Sequence, residues 1–493
     1  MTESDPGPAT LAALEARLRR DFELLTLPPA KDWLEPRTHP EYGPMLDVAI
    51  VGAGMAGLSA AFALKCLAVR SLRVFDRSPA GFEGPWATYA RMETLRSPPE
   101  LPGPAFGFSN LTFRAWFEAQ FGTAAWRKVH RIPRLQWMDY LRWYRRMIDV
   151  PVENETELAD IGGDAETVLL TLRSPSGTRK LAARRVVLAN GRDGLGGPYT
   201  PDMFRGLDSR YVRHSLDGID FTRLRGKTVG VLGAGSTAVD CAAEALEAGA
   251  TRVAMLVRRA DVPRINKNMG IGSPGFWTGF RSLTDAQKWT IANYIDGEAV
   301  PPPRDSMLRA TRHGNFSIFA RCAARGVEIK DGRVLLDTSR GRFAFDFLIL
   351  ATGLNVDWSQ RPEFAALKDH ILLWRDRFTP EGRTAYAQAE HPFVGPAFEF
   401  LERAPDSAPW VTRIHCFTYP AYLNHGPISG DIPAIGIGAE RVASGVAAKL
   451  FAEDYEHVWR RLVGWSNPEL RGDEYALDED VSKFLADQPA EHA

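Results

Sequence analysis

The sequence predicts an α/β fold of two parallel-sheet domains with a helical insertion. One pattern occurs twice. LDVAIVGAGMAGLSAAFALKCL leads into LRVFDRS, and KTVGVLGAGSTAVDCAAEALEAG leads into RVAMLVRRA. Each copy reads as apolar strand, glycine turn, Ala-rich helix and second strand, which is a βαβ unit. Each copy also closes alike. Alternating strands about a turn precede a buried apolar strand ending in Ala-x-Gly, at Ala189-Asn190-Gly191 and Ala351-Thr352-Gly353. Two full repeats make an accidental match of glycines improbable.

In chain order, Leu11, Leu14, Leu18, Phe22 and Leu25 recur at helical spacing. They predict an amphipathic helix that docks on the main body. Residues 1–44 are thus a helical extension and Pro-containing linker. The first copy and its meander occupy 45–205, and the second occupies 206–355. Between about 265 and 320 the βαβ register is lost. INKNMGIGSPGFWTGF is loop-like, LTDAQKWTIANYI reads as a helix, and Pro301-Pro302-Pro303 breaks the chain. This helical insertion is expected beside a substrate pocket. Residues 356–493 return to the first domain and end in helices.

The 493 residues suit two or three domains. Hydrophobic and charged contents of 45% and 25% are those of a soluble globular protein. A net charge of −1 gives no broad attraction to nucleic acid or to an anionic membrane. No segment approaches the roughly 18–20 apolar residues that span a bilayer. The N-terminus has no secretory character, so the cytoplasm is the expected location. Cys66, Cys241, Cys322 and Cys416 are far apart, without a C-x-x-C pair. They argue against a disulfide framework, a zinc cluster and a dithiol centre. No metal site is expected.

Each glycine turn has a chemical reading. Gly52 permits the tight turn after the strand, Gly54 lets backbone approach a pyrophosphate, and Gly57 lets helix pack on strand. The helix N-terminus offers free N–H groups and a positive dipole end to phosphates. Asp76, followed by Arg77, ends the second strand where an acid should bond a ribose hydroxyl. In the second turn, Gly233, Gly235, Ser236 and Thr237 precede Ala238, and Ala is allowed at that third small position. The corresponding second strand ends without an acid, at Arg258 and Arg259. Guanidinium groups suit a 2′-phosphate, so this turn is assigned NADPH over NADH.

Near the C-terminus, Gly430-Asp431 followed by IPAIGIGAERVASGVAAKLF resembles the closing motif of flavoproteins with two dinucleotide domains. With the position of the first turn, it assigns that turn FAD. The order FAD motif, Ala-x-Gly, NADPH motif, Ala-x-Gly resembles the class B flavin-dependent monooxygenases over about residues 45–450. Their fold is two Rossmann-like domains. GFEGPWATYARMETLRSP resembles the stretch that passes beside the isoalloxazine, and it carries Trp86, Met92 and Arg96. The Baeyer–Villiger fingerprint is imperfect: Phe204 and Gly206 are present, but Arg210 stands where His falls and His214 where the aromatic residue falls. His214 is a candidate hinge residue.

The resemblance implies transfer of one oxygen atom from a C4a-(hydro)peroxyflavin to a small organic substrate, with NADPH as reductant and O2 as co-substrate. N-hydroxylation of an amine or amino acid is the leading expectation. Ketone or sulfur oxygenation is the alternative, and an NADPH-dependent reductase without oxygenation is the second. Arg96, Asn424 and His425 are the candidate catalytic residues, with Tyr419 facing the same cavity. Arg304, Arg309 and Arg312 are candidate anchors for a carboxylated substrate. The N-terminal helix and the insertion are candidate interface elements of a homo-oligomer.

Overall fold

A computed structural model of the chain describes residues 10–382 and 386–485. Its two parallel sheets share one construction. In the first, Leu46–Val51 pairs in parallel with Leu72–Phe75 on one side and Gly177–Leu188 on the other. Val48, Ala49 and Ile50 are fully buried, as an enclosed parallel strand requires. Gly177–Leu188 is twelve residues long because it belongs to two structures. Its first half forms an antiparallel meander with Val168–Ser174 and Glu157–Gly163. Its second half joins the parallel sheet, where Ile414–Cys416 from the far end of the chain pairs with Val186–Leu188.

The second sheet is parallel throughout, in the order Val212–His214, Phe347–Leu350, Thr228–Leu232, Arg252–Leu256, Phe316–Phe319. A three-stranded antiparallel meander, Ala324–Lys330, Arg333–Thr338 and Gly341–Phe345, falls in the chain between strands Phe316–Phe319 and Phe347–Leu350. The region expected as insertion therefore ends in a sheet strand. The helix before that strand, Arg304–Thr311, belongs with the sheet as well. Its Arg309 side chain pairs with Glu244 and Glu247 on Ser236–Glu247. The helices outside the βαβ pattern are Asn268–Ile271, Pro274–Gly279 and Asp285–Glu298.

The N-terminal helix runs Leu11–Leu24, capped by the Thr10 hydroxyl on Ala13 N–H. Leu14 and Leu18 are fully buried, and Trp143 donates to Glu15 at 3.1 Å. Leu25, expected on the docking face, lies beyond the helix and is 60% exposed. Residues 1–9 of the expected extension lie outside the described residues. Among those described, no helix is long and apolar enough to cross a membrane.

A buried knot of charge joins the chain's two ends. Arg184, with a side chain 1% exposed, donates to both oxygens of Asp454 at 2.7 and 3.1 Å and to Asp47 at 3.2 Å. Arg37 from the linker and the Glu35 N–H also bond Asp454, at 2.7 and 3.1 Å. The knot thus fastens the junction after helix Ile435–Glu453 to the first sheet. Burial pushes the Asp454 carboxyl up, but the bonds from Arg184, Glu35 and Arg37 outweigh it and hold the carboxyl below its usual value. Its stabilisation is therefore full above the unfolded-state pKa of about 3.9 and is lost as pH falls through the lower folded value. Asp454→Ala leaves Arg184 buried and short of its main partner. It should cost about 3–5 kcal/mol, read as an earlier urea midpoint at neutral pH, with the gap from wild type narrowing below about pH 4.

Candidate active site

Backbone contact shapes the first turn. Gly52 has φ +103°, and a Cβ there would stand 2.4 Å from the Ala189 carbonyl oxygen. A Cβ on Gly57 would meet the Gly52 oxygen at 1.8 Å. Gly54 differs: the nearest atom to a Cβ there is Gly84 Cα, at 3.8 Å. Two glycines face each other across a narrow slot. Helix Met55–Cys66 starts here, and no side chain caps its first N–H groups. A cavity of about 260 Å³ opens at this point, lined among others by Ala53, Gly54, Met55, Glu83, Arg142 and Arg145. The free amide donors suit a pyrophosphate; Arg142 is engaged with the Gly81 carbonyl and Asp139, and Arg145 with Glu83.

Asp76 is buried and braces the turn. Its carboxylate accepts the Ala53 and Ser78 N–H groups, each at 2.7 Å. Each oxygen keeps a lone pair for a ribose hydroxyl. Arg77 beside it is exposed. Glu83, buried nearby, accepts from Gly81 N–H at 2.9 Å and Asn154 at 2.6 Å, and it pairs with Arg145.

The second turn repeats the first. Gly233 has φ +148°, and its Cβ would stand 2.3 Å from the Ala351 oxygen. Gly235 faces open space, with no atom within 4 Å. Thr237 and Arg258 are exposed, while Arg259 donates to the Gly297 carbonyl at 2.9 Å. Arg96, from the segment after the first domain's second strand, reaches across. Its Nη2 donates to Ser236 Oγ at 2.5 Å and to the Pro301 carbonyl at 2.6 Å. Asp240, one turn into the same helix, is pushed up to about 6 by burial.

More arginines join the sheets. Arg91 donates to the Ser215 and Asp217 carbonyls, and Arg309 donates to the Arg91 carbonyl at 3.1 Å. His214 lies beside this seam, buried, with Nδ1 accepting the Leu216 N–H at 3.2 Å. Burial lowers its pKa and favours the neutral ring. Arg309 and Arg312 are both committed to Glu247, whereas Arg304 is exposed.

The C-terminal groups divide sharply. Asp431 stands at a helix start but makes no side-chain capping bond. Burial raises its pKa, against Arg192 and Arg96. Gly430 faces open space. Trp86 and Met92 are half-buried, and the Trp86 carbonyl accepts from Arg134 at 2.6 Å. Asn424 and His425 are buried with their bonds made inside the protein. Asn424 Oδ1 accepts from Trp374 at 2.9 Å, and its Nδ2 donates to the Val394 carbonyl at 3.2 Å. His425 bonds the Gly395 carbonyl at 2.9 Å and Arg441 at 3.1 Å, and it stacks on Phe398. Burial takes its pKa down to about 3.

Tyr419 instead contacts a residue that motif reading passed over, Arg192. The signal was present: Arg192 directly follows Ala189-Asn190-Gly191. Its guanidinium carbon lies 4.4 Å from the Tyr419 ring centroid. The four cysteines are free. Burial lifts the Cys66 thiol to about 11 and those of Cys241 and Cys416 to about 12, so none of these three is an activated thiolate.

A family model described as pyridine nucleotide-disulphide oxidoreductase matches residues 49–289. The chain is 40% identical over 465 residues to the FAD-dependent urate hydroxylase of Xanthomonas campestris pv. campestris, covering 94% of this chain and 98% of that protein. Its fold is similar to that of the FAD-bound cadaverine monooxygenase of Erwinia amylovora, with TM-score 0.63, 13% identity and coverage of 83% and 95%. It is also similar to the ornithine N-hydroxylase of Kutzneria sp. 744, with TM-score 0.62, 18% identity and coverage of 82% and 100%.

The glycines should separate under substitution. Gly52→Ala and Gly233→Ala place a Cβ against a carbonyl at positive φ and should each cost about 1–3 kcal/mol or more. Gly54→Ala and Gly235→Ala should unfold within about 1 kcal/mol of wild type, since neither meets an obstacle. Urea unfolding of the four variants, stripped of any bound nucleotide, checks both halves.

Proposed function

This chain belongs to the flavin-dependent monooxygenase family of the Xanthomonas urate hydroxylase, and we propose that it uses FAD, NADPH and O2 to hydroxylate urate or a closely related oxidised purine. The observation that carries the reading is the Arg96 bridge to Ser236, which ties the segment after the first sheet's second strand to the second glycine turn. In this reading residues 45–205 and 356–493 form the FAD domain, and 206–355 form the NADPH domain. Arranged so, one cofactor can reduce the other without a dithiol relay, consistent with free cysteines and no activated thiolate at Cys66, Cys241 or Cys416.

Bound FAD would supply the hydride acceptance and oxygen activation that side chains lack. The protein's part is positioning and exclusion of water. Gly52, Gly54 and Gly57 admit the FAD pyrophosphate, and Asp76 takes the adenosine ribose. Asp431, unused as a cap, is free for a hydroxyl of the ribityl chain, with Trp86 and Met92 as the flavin's neighbours. Gly233, Gly235, Ser236 and Thr237 admit the NADPH pyrophosphate, with Arg258 and Arg259 at the 2′-phosphate. Arg96 sits beside the second glycine turn, within the field of Asp431, and keeps its assignment to the reacting face. Asn424 and His425 support that face from the second layer, since their polar atoms are engaged in the core. A cytoplasmic location and a homo-oligomer with the N-terminal helix or the insertion at its interface complete the proposal.

N-hydroxylation of an amine or amino acid is the second reading, favoured by the fold shared with the cadaverine and ornithine enzymes. Oxygen uptake and NADPH oxidation with urate, ornithine, lysine, cadaverine, a ketone and a sulfide decide between acceptors. We expect urate to stimulate both, with one atom from 18O2 entering product per NADPH. Hydrogen peroxide as the sole oxygen product with every compound would leave a reductase. For the coenzyme, Arg258→Ala should raise the KM for NADPH about tenfold or more while moving that for NADH little; equal shifts would remove the 2′-phosphate assignment.

A further inference from the structure

Arg192 feels the charge of Asp431 but makes no direct ion pair with it. It is open to solvent, and among the described residues it forms no salt bridge. Buried or half-buried arginines elsewhere are paired: Arg145 with Glu83, Arg309 with Glu244 and Glu247, Arg184 with Asp454. Its position is nevertheless fixed. Asn190 Nδ2 donates to the Gly194 carbonyl at 2.9 Å and closes the loop that carries it. The guanidinium lies on Tyr419, and Tyr419 stacks on Tyr422 with centroids 5.0 Å apart and planes at 25°. Tyr422 is held in turn by Asp296 of the insertion, at 2.7 Å, which also accepts from Gln388 at 2.8 Å.

A stacked guanidinium keeps its N–H donors free in its own plane. Burial works to lower the Arg192 pKa, but Tyr419, Asp431 and Tyr89 outweigh it and keep the group charged. A charged planar fork whose donors are accessible suits a planar anion with two adjacent acceptors. An oxidised purine carries acidic ring N–H groups. Once one ionises, the ring nitrogen and its neighbouring carbonyl oxygen form such an edge. The dinucleotide phosphates are the other anions at hand, but each already has its own place at a glycine turn.

We propose that Arg192, clamped on Tyr419, is the specificity-determining residue that binds the anionic N–C=O edge of the purine substrate and orients its ring. The proposal rests on the urate reading above. The Tyr419–Tyr422–Asp296 stack makes the insertion a support for substrate position rather than a bare lid.

Equilibrium dialysis of labelled urate against FAD-loaded wild type, Arg192→Met, Arg192→Lys and Tyr419→Leu tests it, with FAD content and NADPH binding measured on each sample. We expect Arg192→Met to weaken urate binding on the order of 10–100-fold with FAD and NADPH retained. Arg192→Lys, which keeps charge but loses the fork, should fall between it and wild type, as should Tyr419→Leu. Equal urate affinity in wild type and Arg192→Met overturns the proposal. So does loss of FAD or of NADPH binding in all three variants, which would make Arg192 a contact of that cofactor. Absence of saturable urate binding and of urate-stimulated oxygen uptake in wild type would instead sink the urate reading itself.

Discussion

The contact on which the molecule depends is the approach of the Ala189 carbonyl to Gly52. The oxygen occupies the place a Cβ would take, so the first turn position can be only glycine. Gly57 then lies against the Gly52 carbonyl, which sets the helix on its strand. With strand end, turn and helix start locked together, the free amides have one direction left, towards the slot between Gly54 and Gly84. The Ala351 carbonyl does the same to Gly233. The recurrence of Ala-x-Gly with each glycine turn is therefore a steric pair, one member vacating the space the other fills.

Between the two copies the connecting forces are of another kind. Arginines span the seam and end on carbonyls or hydroxyls: Arg91 on Ser215 and Asp217, Arg96 on Ser236 and Pro301, Arg309 on Arg91. Such bonds are directional, so they hold the relative orientation of the parts they join. That suits a protein whose two nucleotide turns must keep a set orientation.

How much of this was legible followed from sequence distance. The βαβ repeats, the Ala-x-Gly ends and the two meanders were readable because each is a local pattern reporting its own periodicity. At Asp431 the structure adds only that its side chain makes no capping bond, unlike an ordinary helix start. The insertion's far edge was not readable, because Arg304–Thr311 and Phe316–Phe319 join the second sheet through contacts with Glu244, Glu247 and Arg252–Leu256. The same distance hid the Asp454 knot, since nothing near that residue announces Arg184 or Arg37. Around Asn424 and His425, residue type suggested chemistry, but Trp374, Val394 and Gly395 use their polar atoms. Arg192 was overlooked because a solvated arginine and a waiting one look alike until the neighbours are seen.

The split first sheet also has a consequence in time. Val186–Leu188 finds its outer neighbour only when Ile414–Cys416 has been made, after the entire second sheet. At ~5–20 residues per second that interval lasts about 10–45 s. Throughout it the nascent chain carries an apolar strand with one ladder of amides and carbonyls unpaired, the kind of edge to which another chain can add. A stretch made after the second sheet shuts this edge and, through Asp454, bolts it. Yield in a cell should then be governed by what guards the unfinished chain, more than by the stability of the finished one.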